Sequence, residues 1–110
     1  MSAHNLDRTL AALADPHRRR VVDLLRERPH RAGELAHATQ LAFPLMSRHL
    51  RTLRESGLVE EDRDEFDSRV RIYRLRPEPM ADLRIWLEET EALWSRQLAA
   101  FKAHFQKGRK

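Results

Sequence analysis

The sequence predicts a mainly α fold with a small β-hairpin: a winged helix-turn-helix of about five helices and a two-stranded wing. Three observations predict it. Residues 32–38 and 42–55 read as a short helix, a tight turn and a second helix with a polar front. Residues 58–76 switch to strand-like alternation around a polar tip, and a long amphipathic stretch runs from about 80 to 106.

At 110 residues the chain is read as a single domain, 1–110, with room for one modest core. Charged residues make up 35% and hydrophobic residues 41%, which argues against disorder and against a membrane protein. The net charge of +4 mildly favours a polyanionic partner, and 18 of the 21 basic residues are Arg, whose planar fork suits phosphate and guanine edges. No cysteine is present, which excludes disulfides, thiolate metal sites and cysteine nucleophiles. The N-terminus shows no basic segment followed by an apolar run, and no run approaches the roughly 18 apolar residues of a membrane span. The expected location is the cytoplasm.

Leu6, Leu10 and Leu13 recur at helical spacing and predict a first helix over 6–14. Asp15-Pro16 reads as an N-cap with Pro at the first helical position, opening a second helix to about Arg26. Val21, Val22, Leu24 and Leu25 give it a buried face. His17-Arg18-Arg19-Arg20 opposes the helix dipole in the first turn, and two readings stay open: proximity to phosphates, or a solvated charge run. Pro29 ends this helix, and the third buries Leu35 and Ala36.

Residues 42–55 organise the rest. Met46, Leu50 and Leu53 form one apolar stripe, Pro44 suits a first turn, and Gly57 suits the left-handed residue past a helix end. The opposite face carries Phe43, Pro44, Ser47, Arg48 and Arg51, an arrangement that can lie in a DNA major groove.

Beyond Gly57, Leu58-Val59-Glu60 begins a strand and Val70 to Leu75 alternates as its partner, with residues 61–68 as the tip. Pro77 and Pro79 are expected to separate this wing from the last helix. That helix lines up Leu83, Trp86 or Leu87, Trp94, Leu98, Phe101 and Phe105 in a stripe interrupted by Thr90. A domain of this size has no core to cover so long a stripe. A second copy of the chain is the expected cover, with the first helix assisting; the expected interface is Leu6, Leu10, Leu83, Trp86, Leu87, Trp94, Leu98 and Phe101.

Taken in order, residues 11–25 (AALADPHRRRVVDLL), 33–36 (GELA) and 46–59 (MSRHLRTLRESGLV) resemble the ArsR/SmtB family of small bacterial transcriptional repressors. Ile72-Tyr-Arg-Leu-Arg-Pro77 and the tryptophan-bearing last helix extend the likeness across about 9–105. The resemblance implies a symmetric dimer that places two recognition helices on a pseudo-palindromic, double-stranded DNA operator, usually to repress. It implies that Phe43, Pro44, Ser47 and Arg48 face DNA, with Ser47 and Arg48 as readers. Arg51 then meets a phosphate, and Arg54 is either a DNA contact or part of a solvated, salt-bridged face.

The chain departs from the family pattern at three places. Ala42 and Phe43 stand where a Ser or Thr cap and a polar residue are common. The wing tip carries Asp62, Asp64, Glu65 and Asp67 without a Gly, which leaves Arg69 and Arg71 as its DNA contacts and Phe66 either packed back or free to touch a partner. The ligand patterns of metal-sensing relatives are missing: Cys is absent, and Asp82 is followed two residues on by Arg84 rather than His. No cofactor is required on this reading. Among His4, His17, His30, His37, His49 and His104, each alone reads as a surface or capping residue. The remaining metal reading pairs His4 with His104 across the first and last helices, with carboxylate help, for nickel or zinc.

A protein-interaction module is motivated by the acidic wing and Phe43. An enzyme finds no support, because Ser47 and His49 at i, i+2 diverge on a helix and no Gly-rich phosphate loop is present.

Overall fold

Asp15 opens the second helix. Its carboxylate accepts the backbone N–H groups of His17 (2.7 Å) and Arg18 (3.2 Å), so Pro16 follows as a first helical residue that needs no donor partner. The computed structural model describes the backbone of residues 3–107 and the side chains of residues 5–106. Within them run α1 (Ala3–Leu13), α2 (Pro16–Glu27), β1 (His30–Arg31), α3 (Ala32–Thr39), α4 (Phe43–Glu55), β2 (Val59–Arg63), β3 (Arg71–Leu75) and α5 (Pro77–Lys107).

One core joins these elements. Val21, Val22 and Leu25 of α2 meet Leu35 and Ala36 of α3, Met46, Leu50 and Leu53 of α4, then Leu58, Val59 and Tyr73 around the sheet. Leu35, Met46 and Leu53 are fully buried, each stabilising the fold by roughly 1.5–3 kcal/mol through apolar burial. This is what fixes α4: the stripe at 46, 50 and 53 is spent inward, so Ser47, Arg48 and Arg51 are turned to solvent.

The turn between α3 and α4 is set by Gln40, a non-glycine residue at φ 59°, whose N–H returns to the carbonyls of Ala36 and His37. Gly57 performs the same service after α4, at φ 83°. Its position just beyond the helix places Leu58 in the core, with the Leu58 N–H on the Leu53 carbonyl at 3.1 Å.

The structure corrects four expectations. The wing belongs to a three-stranded antiparallel sheet in the order β1-β3-β2, because His30–Arg31 pairs with Tyr73 and Ile72. The last helix begins at Pro77, not near Met80: Pro77 and Pro79 sit in its first turn, where a missing N–H costs nothing. His30 and His49 are buried rather than on the surface. Arg18 leaves the charge run half-buried, its Nε on the Ala12 carbonyl at the end of α1 (2.7 Å), while exposed Arg19 reaches the Leu13 carbonyl through Nη1 (2.8 Å).

α5 has 31 residues, about 46 Å at 1.5 Å per residue, and only its start is covered. It packs on α1, and Leu6 and Leu83 of the expected interface set are buried within the protomer itself. The remainder of that set, Leu10, Trp86, Leu87, Trp94, Leu98 and Phe101, is exposed, as is Phe105. Among the described residues no helix is long and apolar enough to cross a membrane.

Candidate nucleic-acid interface

The exposed face of α4 is the natural centre of a site. Phe43, Pro44, Ser47, Arg48 and Arg51 are all exposed, while Met46, His49, Leu50 and Leu53 behind them are buried. Ala42 provides no side-chain cap, as its methyl dictates, so the first N–H groups of α4 are not capped from Ala42. Among the described residues, Arg48 and Arg51 have no acidic partner within ion-pair distance. Their guanidinium groups are therefore unencumbered donors on an outward face.

The wing lies beside this helix. Phe43 and Ser47 of α4, Arg69 and Arg71 of the wing, and Arg31, Gly33 and Tyr73 line a single groove of about 410 Å³. Four of the seven residues expected to face DNA thus meet in one concavity. Arg48 and Arg51 are not part of its lining; they project from α4 outside it.

Most of the acids at the wing tip are paired within the wing and with β1. Asp64 keeps its carboxylate mostly buried and pairs with Arg31 at 2.9 Å, while also accepting the Phe66 N–H at 2.7 Å. That backbone hydrogen bond, offset in part by burial and helped by Arg31, holds the Asp64 carboxyl below its usual value. Asp67 pairs with Arg69, whose side chain and N–H together hold the Asp67 carboxyl low as well. Asp62 is matched by Arg74. The acids at the tip are largely internal fasteners.

Glu61 is the residue that sequence reasoning missed. Its carboxylate pairs with Arg54 from α4 and with Arg71 from β3 (3.2 Å), and accepts the Tyr73 hydroxyl at 3.3 Å. Arg54 is therefore part of a salt-bridged cluster, and Arg71 is tethered where it meets the groove. Burial, then Glu61, pushes the Tyr73 phenol up from its ordinary value. Only the register Glu61↔Tyr73 brings these groups together, and the alternation of residue types does not reveal a register.

Behind α4, Arg18 Nη1 lies 3.4 Å from His49 Nδ1, and the His17 and His49 rings stand 5.9 Å apart. Burial lowers the His49 imidazole from its usual value; Asp15 opposes the shift, and Arg18 and His17 add to it. A neutral His49 is the form that accepts from Arg18. For a metal, no group of three or more His, Asp or Glu side chains is suitably arranged among the described residues, and His4 lies outside the described side chains.

Comparison with known proteins bears directly on this geometry. Residues 15–61, which span α2 to β2, match the family described as "Bacterial regulatory protein, arsR family". The HTH-type transcriptional regulator Rv2034 of Mycobacterium tuberculosis is 36% identical over 95 residues, covering 86% of this chain and 83% of that protein. The chain belongs to the arsR family. An ArsR-like transcriptional regulator from Rhodococcus sp. RHA1 has the same fold at 29% identity and a TM-score of 0.75, over 91% of this chain and 92% of its own. The homodimeric winged helix-turn-helix DNA-binding domain Mb0332 of Mycobacterium bovis matches at 27% identity and a TM-score of 0.65, over 82% of this chain and 81% of its own.

As an ArsR-family winged-helix protein, the chain is a DNA-binding transcriptional regulator. The turn set by Gln40 delivers α4 to the surface, and the sheet sets the wing beside it. In this arsR-family chain the outward face of α4 is thus defined by packing from behind as much as by the residues it displays.

Proposed function

We propose that this regulator acts as a homodimeric repressor whose two α4 helices read a pseudo-palindromic, double-stranded operator. The observation that carries the reading is the pair Arg48 and Arg51: exposed, outward and free of acidic partners, on a helix whose other face is locked in the core. Ser47 and Arg48 read base edges, Arg51 anchors a phosphate, and Phe43 with Pro44 makes apolar contact at the start of the helix. Arg69 and Arg71 add wing contacts. The dimer closes over the uncovered part of α5, with Trp86, Leu87, Trp94, Leu98 and Phe101 from each copy and Leu10 of α1 alongside. Two recognition helices one helical turn apart then block polymerase sterically.

The reading requires no metal or other cofactor and puts the protein in the cytoplasm beside its DNA. A gel shift on the region upstream of its own gene tests it, run from low to high salt and with and without nickel or zinc. Sequence-specific binding that weakens steeply with salt and ignores metal is the expected result. Binding indifferent to sequence, or dependent on added metal, overturns it.

A further inference from the structure

Phe66 has the highest exposure of any large apolar side chain among the described residues, at 93%. A phenylalanine so placed gains nothing from burial within its own chain, yet the backbone that carries it is ordered by hydrogen bonds. The Phe66 N–H is bound by Asp64, whose own N–H reaches the Val70 carbonyl at 2.9 Å, and Val70 returns an N–H to Asp67 at 3.0 Å. Asp67 also accepts the Arg69 N–H at 3.0 Å. Through the Asp64–Arg31 pair this cross-braced tip is tied to β1.

The tip also has a direction. Arg69 and Arg71, on the way back from it, share a groove with Phe43 and Ser47 of α4, so the wing extends from the DNA-facing side. A hairpin projecting beside a helix seated in a major groove meets the neighbouring minor groove, a slot roughly 6 Å wide. Apolar side chains, Phe among them, enter such slots, part a base step and kink the duplex by roughly 20–90°. Asp64 and Asp67 are already paired with Arg31 and Arg69, so what the tip presents outward is an aromatic ring rather than a free cation for phosphate.

We propose that Phe66 is an apolar wedge that enters the minor groove flanking each operator half-site and opens a base step there. The wedge rests on the reading that α4 occupies the adjacent major groove. Its consequence is specificity by deformability: flexible pyrimidine–purine steps at the wedge position are favoured although no hydrogen bond reads them.

The test uses the full chain and operator duplexes carrying 2-aminopurine at successive flanking positions, with a dye at each end for energy transfer. Complex formation is followed in parallel by gel shift. The expected result is a severalfold fluorescence rise at one position per half-site and a shortened end-to-end distance. F66W preserves both. F66A loses both while still forming the complex, with affinity reduced only about threefold to fivefold, because the wedge repays most of its own unstacking cost. A wild-type complex with no fluorescence change at any position and an unbent duplex overturns the wedge and leaves the α4 reading intact, as does an equal signal from F66A. Absence of any wild-type complex overturns both.

Discussion

Arg18 Nη1 stands 3.4 Å from His49 Nδ1 and so links the first turn of α2 to the buried side of the recognition helix. The same guanidinium caps α1 through the Ala12 carbonyl. Arg18→Ala removes both contacts at once and is expected to cost about 1–2 kcal/mol of stability, since hydrogen bonds to a charged group are worth more than neutral ones. Arg18→Lys restores the charge but not the fork, and recovers less than half of that loss. Urea unfolding of the three proteins checks it.

His49 gives a pH dependence whose sign is fixed by its burial. The folded imidazole is held below its usual value, so the unfolded chain binds the proton more readily. Its contribution is complete above about pH 6.5, the unfolded value, and is lost as pH falls through the lower folded value. His17 and Arg18 oppose the added charge and Asp15 favours it. Unfolding midpoints between about pH 5 and 8 are expected to fall on acidification, less so in His49→Gln. Equal slopes in the two proteins exclude His49 as the source.

Arg48→Ala is expected to weaken operator binding by roughly 1–3 kcal/mol and to relax preference at one base pair of each half-site. Arg51→Ala weakens binding to all sequences alike and flattens the salt dependence. Competition gel shifts against single-base operator variants separate the two. Equal loss of preference in both would show that base reading does not lie with Arg48.

Glu61 restrains two cations, so Glu61→Gln frees Arg54 and Arg71 without emptying the Tyr73 hydrogen bond. Each guanidinium that reaches a phosphate adds about 0.9 to the slope of log affinity against log salt. The expected outcome is tighter binding at low salt and a steeper slope, with stability changed by less than about 1 kcal/mol. An unchanged slope would mean that neither arginine meets DNA.

Gln40 occupies the left-handed region at the turn into α4. Gln40→Gly relieves that strain and is expected to raise stability by about 0.5–1 kcal/mol, read as a higher melting temperature. Any destabilisation would show that the Gln side chain makes up for its backbone.

These positions also show what a sequence alone displays. α4 was legible because Met46, Leu50 and Leu53 repeat at helical spacing between Pro44 and Gly57, signals that all act within a few turns. The exposed arginines were legible as the complement of that stripe. β1 was not, since two residues carry no period, and only the pairing of His30 with Tyr73 makes them a strand. The start of α5 was misplaced because Pro77 and Pro79 act as breakers inside a helix but are tolerated in its first turn. Glu61 was invisible because its partners come from three separate elements, and the position of His49 beside Arg18 depends on how α2 crosses α4.

The bare length of α5 makes the amount of protein part of its thermodynamics. A solitary chain leaves Trp94, Leu98, Phe101 and Phe105 in water, so its melting temperature is expected to climb with protein concentration, as mass action requires of a pairing fold. Trp94→Glu sets that trend to zero and leaves a single-chain species in sedimentation. For the proposed dimer, the DNA-competent form grows at low abundance with the square of the number of chains made. Under the proposed repressor reading, repression is expected to switch on over a narrow range of expression, a sharpness that the uncovered helix alone supplies.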